Sequence, residues 1–146
     1  MDQYLEFIGN HYLLCLALVI LSFLIIQDLV VSAFNKFEAL SPLLAVTKMN
    51  STDTVVIDVR TPHEYKKGHI ENAINIPAEK FKDQVHTLEK HKALSILVIC
   101  QTGNRANAAC KELMTNGFEH VFLITGGMQS WEDYKLPVKA TVTNNK

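Results

Sequence analysis

Two patterns of apolar positions divide the chain. Over 12–26 the sequence reads YLLCLALVILSFLII, 15 residues with Ser22 as the polar interruption. Extended back to Phe7 the stretch reaches 20 residues without a formal charge, His11 being neutral. A helix of about 20 residues rises roughly 30 Å, the thickness of a bilayer core. It is apolar on every side, which excludes an amphipathic surface helix. Tyr4 and Tyr12 near one end suit an interfacial position. The pattern predicts an N-terminal transmembrane anchor, 1–35, that enters the membrane through 7–26. Two other readings stand beside it, a buried core helix and a cleaved signal peptide. The first asks the rest of the chain to enclose an all-apolar helix. The second lacks a basic leader and a clear small-residue cleavage site.

After residue 36 the pattern changes. Ser41 as N-cap and Pro42 at the first helical position predict a helix to about Met49. The β-branched run 54–59 predicts a buried strand. Thr61, Pro62 and Glu64 form a capping box that opens a short helix, ended by Gly68. A short strand over 73–76 stops at Pro77. Phe81, Val85 and Leu88 put an apolar stripe on a helix over 78–91. A strand follows over 95–99, then a helix over 105–116 with Ala106, Ala109, Cys110, Leu113 and Met114 on one face and Gly117 as its cap. A last strand over 121–124, a turn at Gly126-Gly127 and a short helix carrying Trp131 complete the unit. Strands alternating with helices predict an α/β fold, an open, mostly parallel sheet with helices on both faces. The unit spans 36–139, and 140–146 reads as a flexible tail.

Charge sharpens the division. No Lys or Arg precedes Lys36; all 14 basic residues and 12 of the 15 acids lie from there onward. Lys36 and Lys48, on the C-terminal side of the apolar run, would leave that side in the cytoplasm. The expected location is a single-pass protein of a bacterial inner membrane. The whole chain carries a formal charge of -1, which argues against a nucleic-acid partner held by bulk positive charge. Three cysteines without a CxxC and six scattered histidines without HxH or HExxH give no support to a disulfide scaffold or a metal site.

The chemistry concentrates in Cys100-Gln101-Thr102-Gly103-Asn104-Arg105. A cysteine ends a predicted strand, and five residues later an arginine opens a helix. Ligands of open parallel sheets bind at the carboxyl ends of strands. A strand-to-helix loop turns backbone N–H groups inward, and the helix N-terminus adds partial positive charge. A thiolate held there is stabilised and nucleophilic. Gly103 supplies the backbone freedom of a tight loop. Cys110 instead lies on the apolar stripe of its helix, and Cys15 within the apolar run.

The ordered pieces Asp58-Val59-Arg60, Glu64-Tyr65, Gly68-His69-Ile70, 73–77, the loop from Cys100 to Arg105, Gly117-Phe118, Gly126-Gly127, Trp131 and Leu136-Pro137 resemble a single-domain rhodanese, a sulfurtransferase, over about 41–138. The resemblance implies a rhodanese-like fold and a Cys100 nucleophile. It implies that Cys100 takes sulfur from a thiosulfate-like anion and passes it to a small thiol or a protein cysteine, with no cofactor and no metal. It makes Gln101, Thr102, Gly103, Asn104 and Arg105 the substrate-binding loop, with Arg105 as anion binder. Asp58 and Arg60 become supporting or entrance residues, or a structural ion pair. Glu64 is read as a capping partner and His69 as a packing residue. Related dual-specificity phosphatases have a C-x5-R loop; the C-x4-R count here suits a sulfur atom rather than a phosphoryl group. Within the loop only Arg105 carries charge, so modest thiosulfate turnover is expected. The competing reading is a membrane-tethered binding or regulatory module with little turnover. Either way the tether points to a membrane-protein partner.

Overall fold

The computed structural model describes residues 11–34 and 37–140. The chain divides into two compact units, Met1–Lys36 and Phe37–Lys146, and each is described by itself. In the first, α1 (Tyr12–Phe34) carries the apolar run. Ser22, its polar interruption, is satisfied within the helix, its Oγ donating to the Leu18 carbonyl at 2.7 Å.

The expected membrane anchor and inner-membrane location are corrected here. Among the described residues no helix is long and apolar enough to cross a membrane. The apolar stretch from Tyr12 rises only about 22 Å before α1 runs into Gln27 and Asp28, short of a bilayer core of about 30 Å. Residues 7–10 of the expected span, and the tail over 141–146, lie outside the described residues.

The second unit begins with β1 (Glu38–Leu40) and α2 (Pro42–Ser51). Next come β2 (Thr54–Asp58), α3 (Pro62–Lys67) and β3 (Ile74–Asn75). A helical stretch from Ala78 to His91 leads to β4 (Ser95–Ile99) and α5 (Asn104–Thr115). The unit closes with β5 (Val121–Ile124) and α6 (Gly127–Asp133). All strand pairs are parallel, in the order β1-β5-β4-β2-β3. The central strands are continuous apolar runs because both faces are covered. Ile57, Ile96, Val98 and Leu123 pack with Leu113, Phe81 and Leu88 on one side. Val56, Leu97, Ile99 and Phe122 pack with Ala45, Met128 and Trp131 on the other.

The strand order places the site. From β2 the chain steps outward to β3, then crosses back to β4 and continues to β5 on the opposite side. The sheet therefore changes direction between β2 and β4, and a crevice opens at the carboxyl ends of those strands. Asp58 and Ile99 are register partners at that end, so the segments beginning at Val59 and Cys100 leave the sheet side by side.

The predicted caps appear in atomic detail. Ser41 accepts from the Leu44 N–H at 3.4 Å, and both halves of the Thr61–Glu64 box are formed. Gly117, with φ 82°, closes α5: its N–H reaches the Met114 carbonyl, and that of Phe118 reaches the Leu113 carbonyl. Two features differ from the pattern reading. The edge strand β1 was not expected, because three residues with only Leu40 buried carry no periodicity. The helix over 78–91 is broken into 3₁₀ (Ala78–Lys80), α (Phe81–Gln84) and 3₁₀ (Val85–His91) segments. No side chain caps any of the three, while Val85 and Leu88, three apart, both turn inward on the tighter spiral.

Leu113 is fully buried between α5 and the sheet. Leu113→Ala is expected to lower the unfolding free energy by about 2–5 kcal/mol. Leu43→Ala, at an exposed site of α2, should stay within about 0.5 kcal/mol. Urea unfolding of the full chain measures both.

Candidate functional site

Cys100 directly follows β4 and is completely buried. Its Sγ accepts a hydrogen bond from the Gly103 N–H at 3.0 Å. Gly103 sits at φ 104°, a left-handed conformation that bends the loop back over the sulfur. Of the amides from Gln101 to Arg105, that of Gly103 is the one shown bonded to Sγ. The loop is held from behind. The Cys100 carbonyl accepts from the Met128 N–H at 2.8 Å, and the Gln101 carbonyl from the Gln129 N–H at 3.1 Å. With both carbonyls engaged on α6, the loop presents an amide to the sulfur. Gly127, at φ 60°, lies so close that an added Cβ would run into the Cys100 carbonyl oxygen and the Gln101 backbone.

Asp58 and Arg60, expected as supporting or entrance residues or as a structural ion pair, lie in direct contact. They form a buried ion pair at 2.7 Å, with side chains 0% and 4% exposed. Arg60 Nε also donates to Asp58, and its other amino groups reach the Gly68 carbonyl at 2.6 Å and Gln101 Oε1 at 3.2 Å. The pair is thereby joined to the cysteine loop by one hydrogen bond, to Gln101. Asn75, which lies in the 73–77 piece but carried no role in the motif, donates from Nδ2 to the Asp58 and Arg60 carbonyls, both at 2.9 Å.

Arg105 and Glu64 are brought together across 41 positions of sequence. Arg105 donates to both Glu64 oxygens, at 2.9 and 2.7 Å. Glu64 Oε2 also accepts from the Thr61 N–H and hydroxyl. The Arg105 guanidinium, with help from Thr61, holds the Glu64 carboxyl down at about 2. The same hydrogen bond pushes Arg105 up from its ordinary value. Thr102 and Asn104 are exposed, and Asn104 rather than Arg105 begins α5. His69 is buried, stacked on Tyr65 at 3.8 Å with Nδ1 against the Tyr65 carbonyl, as suits a packing residue.

A cleft of about 290 Å³ adjoins the cysteine loop, lined by Arg60, Glu64, Lys67, Gly68, Gln101 and Glu132. Lys67 and Glu132 were not singled out in the sequence, since nothing local links the end of α3 to α6. The Glu64–Arg105 pairing had a faint signal: an acid at the third position of one helix and a base at the second of another, both at the sheet's carboxyl end. Burial, with the Cys100 charge adding, pushes the Cys110 thiol up to about 12, which makes it an inert neighbour. Among the described residues no group of three or more His, Cys, Asp or Glu side chains is placed to hold a metal ion.

Residues 41–134 match the model of the Rhodanese-like domain. The uncharacterized protein YibN of Escherichia coli strain K12 is 30% identical over 139 residues, covering 94% of this chain and 97% of that protein. The crystal structure of a rhodanese-related protein from Thermoplasma volcanium superposes with a TM-score of 0.65 at 31% identity, over 70% of this chain and 98% of that one. The tRNA uridine(34) hydroxylase of Yersinia enterocolitica is 33% identical over 99 residues, and the chain spans only 28% of its length.

Two outcomes are expected of this geometry. Gly127→Ala should lose about 1–2 kcal/mol from backbone handedness alone, with the collision against the loop adding to it, as read by urea unfolding. Glu64 is depressed in the fold, so its stabilisation is full above about 4.5 and disappears as pH falls towards 2. Over that window the unfolding free energy of the unaltered chain should fall more steeply than that of Glu64→Gln.

Proposed function

The chain belongs to the rhodanese-like domain family, and on that premise we propose that it is a sulfurtransferase working through a persulfide on Cys100. The observation that carries this reading is the Gly103 N–H donating to Cys100 Sγ at 3.0 Å, at the carboxyl end of the central strands. An amide fixed before the reaction is a preorganised donor to the attacking Sγ, beside the place where the terminal sulfur of the persulfide carries its charge.

In the first half-reaction the Cys100 thiolate attacks the outer sulfur of a donor such as thiosulfate. A sulfur–sulfur bond forms to Sγ, the donor's own sulfur–sulfur bond breaks, and sulfite leaves with the electron pair. In the second, a thiophile such as cyanide, a small thiol or a protein cysteine attacks the terminal sulfur and releases the Cys100 thiolate. This is ping-pong covalent catalysis, and it consumes no oxidant or reductant. Gln101, Thr102, Gly103, Asn104 and Arg105 form the wall around the transferred atom. Asp58 and Arg60 act from behind it, through Gln101. The hydroxylation named for the Yersinia relative is not carried over, because the chain covers so little of that protein.

A second reading has one observation in its favour. Cys100 is 0% exposed, which suits a binding module with little turnover as well as a shielded nucleophile.

Intact mass of the full chain, before and after millimolar thiosulfate, tests the proposal. The expected outcome is a gain of about 32 Da, one sulfur atom, that is reversed by cyanide and absent from Cys100→Ala. A folded chain that takes up no sulfur at any donor concentration overturns it in favour of the binding module.

A further inference from the structure

Arg105 is the one charged residue of the cysteine loop, and both of its terminal nitrogens are already bound to Glu64. Arg60 is no freer: Asp58, the Gly68 carbonyl and Gln101 take up its donors. Three of the five Arg105 N–H groups stay open, but its charge, like that of Arg60, is already offset by a carboxylate in direct contact. The remaining charged side chains on the cleft are Lys67 and Glu132, one of each sign, both exposed and neither in an ion pair or side-chain hydrogen bond among the described residues. Each cation around the loop is thus matched by a carboxylate.

A dianion entering this cleft meets no net attraction and approaches Glu64 and Glu132 against repulsion. A small molecule with one ammonium and one carboxylate meets a different surface: Glu132 suits the first and Lys67 the second. A cleft of about 290 Å³ lies at the small end of ligand pockets, of a size for an amino-acid-sized molecule.

We propose that Glu64, by occupying Arg105, makes the site selective for a zwitterionic amino-acid persulfide as sulfur donor over dianionic thiosulfate. The inference rests on the sulfurtransferase reading and deepens it. The Cys100 thiolate attacks the outer sulfur of R–S–SH and forms the new sulfur–sulfur bond. The bond between the donor's two sulfurs breaks, R–S⁻ leaves with the electron pair, and the transferred sulfur keeps its proton. Nothing is oxidised or reduced overall. Glu64 lines the cleft but takes no part in the sulfur transfer; it acts through Arg105 as a specificity-determining residue.

Glu64→Gln separates this role from the helix cap, because a glutamine at the third helical position still accepts from the Thr61 N–H. Sulfur loading of the full chain, followed by rapid quench and intact mass, supplies kcat/KM for cysteine persulfide and for thiosulfate. The unaltered chain is expected to favour the persulfide. In Glu64→Gln the thiosulfate value should rise about tenfold and fall again with added salt, while the persulfide value stays within about twofold. A merely structural role for Glu64 would lower both values together and show no salt dependence. Lys67→Ala and Glu132→Ala should each raise KM for the persulfide with kcat little changed.

Loading from thiosulfate as readily as from the persulfide in the unaltered chain overturns the inference and leaves the sulfurtransferase reading standing. That ratio needs no variant, so it decides the matter even if Glu64→Gln does not fold. An unchanged donor ratio in a folded Glu64→Gln overturns it equally. Loading from neither donor overturns the sulfurtransferase reading, and the inference with it.

Discussion

The guanidinium of Arg60 is the buried charge around which this end of the sheet is assembled. A charge removed from water costs several kcal/mol unless it is paired and its donors are filled. Asp58, the last residue of β2, supplies the opposite charge, the Gly68 carbonyl at the end of α3 takes one amino group, and Gln101 takes another. Asn75 of β3 closes the arrangement by donating to the carbonyls on either side of Val59. Four segments distant in sequence are thereby fixed relative to one buried ion, and the cysteine loop is one of them. Among the described residues every buried side-chain nitrogen and oxygen has a partner. The network can therefore rigidify the site without leaving an unsatisfied group.

Arg60 and Arg105 each face a bidentate carboxylate of their own, in different environments. The Arg60–Asp58 pair is almost sealed, whereas the side chains of Arg105 and Glu64 are 38% and 30% exposed. The sealed pair belongs to the architecture, since opening it would strand a charge. The half-exposed pair is screened by solvent, contributes modestly to stability and can exchange partners at small expense. Its weight falls on the electrostatic character of the cleft.

Legibility in the sequence followed the range of the interaction. Signals within a few residues were plain: the Ser41–Pro42 start, the Thr61–Glu64 box, the Gly117 stop and the β-branched runs of β2 and β4. The order of motifs carried the parallel sheet and the family. What depended on distant residues was hidden. β1 is a strand only because β5 lies beside it, and the 3₁₀ turns after Pro77 reflect the packing of Phe81, Val85 and Leu88. Glu64 was readable as a cap, but its hold on Arg105 was not, because no local pattern links residues 41 positions apart. The membrane anchor is overturned for a different reason: among the described residues no helix is long and apolar enough to cross a membrane, and the apolar run from Tyr12 meets Gln27 and Asp28.

The grip of α6 on the loop has a temporal side. The carbonyls of Cys100 and Gln101 find their donors in Met128 and Gln129, and the partner strand of β1 is completed only at Ile124. Contacts of such sequence separation form late, after the intervening chain has been made. During synthesis Cys100 leaves the ribosome well before the residues that shape its loop. A nascent chain therefore carries Cys100 before the backbone partners of its loop exist, and the arrangement around it is completed only as the last turn of the fold docks.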